Sequence, residues 1–129
     1  MFEVALGAAC WRRIAMPGDA RLNQLAAAIL DAFHFDHDHL YRFSYRDRFG
    51  RTVDINHPYM ADHSDHALAD AVKIGDLPLA PGMCLDFLFD FGDQWHFTLH
   101  TESIDAGPAI HKPRVLEKHG KAPKQYGGW

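Results

Sequence analysis

A chain of 129 residues, 47% apolar and 12% aromatic, has material for one core and the length of one domain, which excludes wholesale disorder. No apolar run approaches the ~20 residues of a membrane-spanning helix, and a net charge of −4 argues against a generic polyanion-binding surface. The average hides an asymmetry: residues 111–129 carry five basic groups against one acid, whereas residues 1–110 carry eight against sixteen.

The opening Met1-Phe2-Glu3-Val4 lacks the basic start and apolar stretch of a signal peptide, so the expected location is the cytoplasm. Phe2–Leu6 alternates and predicts a strand, and Cys10–Met16 predicts a second, the two forming a hairpin. Cys10 and Cys84 have no metal-ligand spacing and read as reduced thiols used as small core residues. Trp11-Arg12-Arg13 reads as an indole at the core edge beside two solvated guanidinium groups, or as an arginine pair ready for a phosphate or carboxylate. Pro17-Gly18-Asp19 ends the strand, with Asp19 placed to cap a helix over residues 20–33, where Leu22, Leu25, Ala26, Ile29, Leu30 and Phe33 form one apolar stripe.

His34–His39 leaves that helix as a loop, and Tyr41, Phe43 and Tyr45 mark a third strand whose other face carries Arg42 and Arg46. A turn at Asp47–Gly50 leads into a fourth strand, Arg51–Ile55. Residues 56–66, rich in His and Asp, read as an exposed loop, and Leu68–Lys73 as a helical turn. Pro81-Gly82 precedes a hairpin whose strands carry Met83, Leu85, Phe87 and Phe89 on one side, then Trp95, Phe97, Leu99 and Thr101. Its corner, Asp90-Phe91-Gly92-Asp93, is a tight reversal, easiest at Gly92. After Asp105 the chain reads as an irregular, basic tail. The expectation is a single α+β domain, residues 1–110, with the tail 111–129 packing on it: a mainly antiparallel sheet covered by one helix, with a β-β-α-β opening followed by further hairpins.

Trp11-Arg12-Arg13-Ile14, the helix after it, His39-Leu40 before a strand, and Phe89-Asp90-Phe91-Gly92-Asp93-Gln94-Trp95 resemble the Ri-plasmid open-reading-frame-three-like proteins. The tail from Pro113-Arg114-Val115-Leu116 to Gln125-Tyr126-Gly127-Gly128 resembles that family's closing motif, so the likeness spans nearly the whole chain. The resemblance implies an α+β domain associated with plasmids or transposons and without an established activity. Its opening is β-grasp-like by analogy. A resolvase label sometimes given to such proteins implies a serine recombinase, yet none of Ser44, Ser64 and Ser103 stands in an arginine-surrounded context. Two departures from the family pattern stand out. The family's histidine two residues after the motif tryptophan is Phe97 here, with His96 one position earlier and so on the opposite strand face. Its Pro-Pro-Glu-Asp is Ala122-Pro123-Lys124-Gln125.

Several groups carry potential chemistry. Asp90 and Asp93 are either turn residues accepting backbone N–H bonds or, with His96, an acid/base or metal-carboxylate set. His37 and His39 alternate with Asp36 and Asp38, and His63 and His66 accompany Asp62 and Asp65; solvated loops and divalent-metal sites both fit, although neither cluster has a metalloenzyme spacing. Asp90-Phe91-Gly92 also matches the kinase magnesium tripeptide, but no glycine-rich loop, strand lysine or catalytic-loop motif accompanies it. The leading expectation is a non-enzymatic, cytoplasmic binding or accessory domain without a cofactor, taking a protein or small ligand through Trp11, Arg12, Arg13 and Trp95. The alternatives are a divalent-metal-dependent hydrolase or nuclease using Asp90, Asp93 and His96, and a nucleic-acid accessory protein. The last would use Lys112, Arg114, Lys118, Lys121 and Lys124, Tyr126 and Trp129, and Arg42, Arg46, Arg48 and Arg51.

Overall fold

Period-two alternation decides which side of each strand is buried. The computed structural model describes residues 1–7, 10–60, 67–103, 112–123 and 125. In chain order it contains β1 (Phe2–Ala5), β2 (Trp11–Ala15), α1 (Leu22–Ala32), β3 (Tyr41–Arg46), β4 (Thr52–Asn56), β5 (Ala67–Leu68), β6 (Cys84–Phe89), β7 (Trp95–Thr101) and β8 (Arg114–His119). These strands form one sheet in the order β5-β4-β3-β6-β7-β1-β2-β8. Among the described residues only the short β4–β5 pairing is parallel. The architecture is α+β: a mainly antiparallel sheet with one helix.

Register stacks the apolar residues into rows. Ile55, Phe43, Phe87 and Phe97 are successive cross-strand partners, as are Tyr41, Phe89 and Trp95, and Leu85, Leu99 and Val4. Phe43 and Phe87 approach to 4.7 Å between ring centroids, and Phe33 at the end of α1 meets Phe97 edge-on at 5.0 Å. Leu22, Leu25, Ala26, Ile29 and Leu30 of α1 complete this core. Burying side chains of this size stabilises the fold by roughly 1.5–3 kcal/mol each. The other face carries Glu3, Arg13, Arg42, Asp86, His96 and His100, together with Trp11 and Leu88.

Helix α1 starts differently from expectation. Asp19 does not cap it. The N–H of Arg21 donates to Gln24 Oε1 at 2.8 Å, while Leu22 and Asn23 donate to the carbonyls of Val72 and Ala69. Distant backbone thus satisfies the free donors of the first turn. The helix stops in a Schellman arrangement: His34 sits at φ 60° and donates to Asp31 O, and Phe35 donates to Leu30 O.

Three stretches depart from the sequence reading. Leu68, expected to open a helical turn running to Lys73, instead ends β5, and the next helical turn is Ile74–Asp76. Arg114–His119, expected as irregular tail, is β8, paired with β2. Glu117 pairs with Arg13 and Val115 with Ile14, leaving Leu116 as a bulge that breaks the alternation. At the corner, Asp90 and Gln94 hold the positive φ values, not Gly92.

His34 bears the left-handed conformation without being glycine. We predict that His34→Gly raises unfolding stability by about 0.5–1 kcal/mol and that His34→Val lowers it by at least as much, both measured by urea denaturation.

Candidate functional site

The acidic corner is built by its own turn. Asp90 is 8% exposed and its Oδ1 accepts the N–H groups of Gly92 (3.1 Å) and Asp93 (3.3 Å). Its own N–H donates to Leu40 O, and its carbonyl accepts from Gln94. Asp90 Oδ2 faces His39 Nε2 at 3.4 Å, and the same nitrogen lies 3.5 Å from Asp38 Oδ1. Asp93 is exposed. His96 stands on the polar face of the sheet, 3.1 Å from Asp86 Oδ1. Asp90 and His96 therefore have separate partners. Trp95 lies half-buried on the core face against Phe35 at 5.0 Å, with its buried Nε1 lacking an acceptor among the described residues.

Gln125 closes the same corner from the tail. Its Oε1 accepts the N–H of Asp36, and its Nε2 donates to Asp38 Oδ1 (3.2 Å) and Asp36 O (3.4 Å). An acid at this position would face the Asp38 carboxylate with no proton to give. The amide gives one bond and receives another.

The Trp11-Arg12-Arg13 triplet is split between the two faces. Arg12 is 4% exposed and donates to the carbonyls of Trp11 (2.8 Å), His119 (3.0 Å) and Ala32 (3.4 Å), over the Phe33 ring. It is thus neither solvated nor open to a ligand. Arg13, on the opposite face, is held by Glu102 and Glu117, whose hydrogen bonds, Glu102's first, keep the guanidinium charged well above its ordinary range. Trp11 stacks on His119 at 5.5 Å.

Among the described residues no group of three or more His, Cys, Asp or Glu is arranged to hold a metal ion. His37 bonds Asp31, and His63 and His66 lie outside the described residues, as do Lys124, Tyr126 and Trp129. Arg42 bonds Asn56 Oδ1, Arg46 reaches Gly50 O, and Arg48 and Arg51 lie over Phe49, at the far end of the sheet from β8. On β4's side of the core, burial pushes the Tyr41 phenol up to about 12, with Asp70 adding to the effect. Burial also lowers His57 below its ordinary value, against an opposing pull from Asp70.

One opening in the structure was not anticipated. A groove of about 540 Å³ runs between α1 and the β2–β8 edge. Ile14, Ala27, Ala28 and Val115 give it apolar walls. Lys112, Arg114 and Lys118 line it from one side, and Asp31 and His34 from the other. Among the described residues none of these three cations has a carboxylate partner. The sequence showed the charges; it hid the strand that arranges them.

The model of the plasmid pRiA4b ORF-3-like proteins matches residues 4–128. The chain belongs to this family. The fold of this pRiA4b ORF-3-like protein is similar to the crystal structure of MM3350 from Methanosarcina mazei Go1, described as a protein of unknown function. The two share 20% identity over 98% of this chain and 73% of that one, with a TM-score of 0.79. No curated protein matches the chain in sequence. For this family member, three stretches carrying the family likeness meet in space: the His39 loop reaches the Asp90 corner through His39 and the tail at Gln125 through Asp38.

Removing the Asp90 carboxylate orphans two turn N–H groups. Asp90→Ala is expected to destabilise by about 2 kcal/mol, whereas Asp93→Ala stays within about 0.5 kcal/mol, in paired urea melts. A second expectation concerns pH. Because folded His57 resists the proton that the unfolded chain accepts below about pH 6.5, stability falls as pH drops through and below that value. Protonation also costs the Tyr59 N–H its acceptor, His57 Nδ1. His57→Phe should flatten the wild-type loss between pH 7.5 and 5, measured as the difference in urea midpoints.

Proposed function

We propose that the protein is a non-enzymatic binding domain, working in the cytoplasm and associated with plasmids or mobile elements, and that its ligand occupies the groove between α1 and β8. The occupant we favour is a small amphiphilic anion: an aliphatic body carrying one carboxylate. The observation that supports this reading most is the combination of apolar walls with three cations that have no carboxylate partner among the described residues. A volume of about 540 Å³ suits a small organic ligand rather than a macromolecule. Cationic side chains beside an apolar wall gain most from a ligand that satisfies both at once.

The alternatives draw less support. Asp90 is committed to its turn and to His39, and His96 to Asp86. Among the described residues, the basic groups of β8 and those of the β3–β4 end lie at opposite ends of the sheet and form no continuous track for nucleic acid. Free Cys10 and Cys84 fit a reducing compartment, and among the described residues no helix is long and apolar enough to cross a membrane. The β-grasp-like reading of the opening is kept as analogy and carries no functional weight.

The test uses anilinonaphthalene sulfonate, a fluorescent apolar anion, displaced by decanoate. We expect saturable binding at one site per chain and displacement by decanoate at least about tenfold better than by decanol. Lys112→Glu, Arg114→Glu and Lys118→Glu combined should weaken binding by about tenfold or more, and Ala28→Trp should block it without loss of fold. Equal displacement by the alcohol, or binding indifferent to both variants, would overturn the assignment.

A further inference from the structure

The polar face of the sheet, opposite α1, holds a thiol–imidazole pair that the groove does not use. Cys84 of β6 and His100 of β7 are direct cross-strand partners. Cys84 is exposed, and its Sγ lies 3.2 Å from His100 Nδ1. The other acceptor near the thiol, Gly82 O, is farther away at 4.0 Å. With His100 protonated on Nε2, its Nδ1 lone pair faces the S–H, an arrangement that converts a thiol into a nucleophile.

The surroundings keep the imidazole available. Glu3 is the partner of His100 on its other side, and Arg13 is the next residue across. Arg13 is already occupied by Glu102 and Glu117, which leaves Glu3 as the carboxylate beside the imidazolium that would form. Asp86, two residues along β6 on the same face, is taken by His96. Cys10, the other cysteine, is buried just before β2 and sees an Arg12 nitrogen at 3.7 Å rather than a base.

We propose that Cys84 is a modification site, a thiol activated by His100 that forms a mixed disulfide with a low-molecular-weight disulfide. The Cys84 proton passes to His100 Nδ1, and the thiolate attacks one sulfur of the small disulfide. A Cys84–sulfur bond forms as the incoming S–S bond breaks. The departing half leaves as a thiolate and takes the proton from His100, so that Cys84 is oxidised and one small thiol is released. The site lies across the sheet from the groove and is independent of ligand binding there.

The test follows release of the coloured thiolate from dithiobis(nitrobenzoate) by the full chain at pH 7, with a blocked cysteine as reference. One equivalent per chain should react about tenfold faster than the reference, and Cys84→Ser should remove it. His100→Asn retains a hydrogen-bond acceptor but cannot take the proton. It should slow that equivalent to about the reference rate. His100→Gln, checked for an unchanged melting temperature, should behave the same way. A fast equivalent that survives Cys84→Ser, a wild-type rate equal to the reference, or a rate untouched by His100→Asn would each overturn the proposal.

Discussion

The buried guanidinium of Arg12 holds together the part of the molecule where the groove lies. A cation removed from water is costly unless its donors are satisfied, and among the described residues no carboxylate does this. The acceptors are the carbonyls of Trp11, Ala32 and His119, which come from its own strand, the end of α1 and the end of β8. Carbonyls at a helix C-terminus carry partial negative charge, and the Phe33 ring offers its face from 5.1 Å. One side chain thereby ties the helix to the sheet edge. The walls of the groove are these same two elements.

Much of this architecture is legible in the chain. Alternation at Phe2, Val4, Tyr41, Phe43, Leu85, Phe87, Phe97 and Leu99 places the strands and their buried face, and the Leu22–Phe33 stripe places the helix. Asp-x-Gly-Asp is legible as turn chemistry because its bonds are local. What stayed hidden rests on distant backbone. Helix α1 begins without its expected aspartate cap because Ala69 and Val72 supply the acceptors. Arg12 looks solvated until the carbonyls of residues 20 and 107 positions away enclose it. Strand β8 was illegible because the bulge at Leu116 disrupts its alternation, and with it went the placement of Lys112, Arg114 and Lys118.

The same distinction explains the corner. Two acids, an indole and a histidine are close in sequence there, yet the sheet separates them: Trp95 faces the core, and His96 faces outward to Asp86. The residues brought together instead are Asp38, His39, Asp90 and Gln125, from three separate stretches. The amide of Gln125 suits this setting because it donates to the Asp38 carboxylate, where a second carboxylate would repel it. The phenyl group of Phe97 is equally consistent with its place, enclosed by Phe33, Phe35 and Phe87. Phe97 and Gln125 thus each have a local physical reason.

Among the described residues, β8 is the last strand of the sheet on its side, and it presents Val115 at 42% and Leu116 at 46% exposure. A flat apolar edge of that length invites a second chain to add on and start a fibre. The irregularity at Leu116 twists the edge out of register for such an addition, and Lys112, Arg114 and Lys118 bring like charge against any identical edge that approaches. The irregularity that conceals the strand from a reader of the sequence therefore also guards it against its own copies. Protection of this edge and the groove's cationic rim draw on the same side chains.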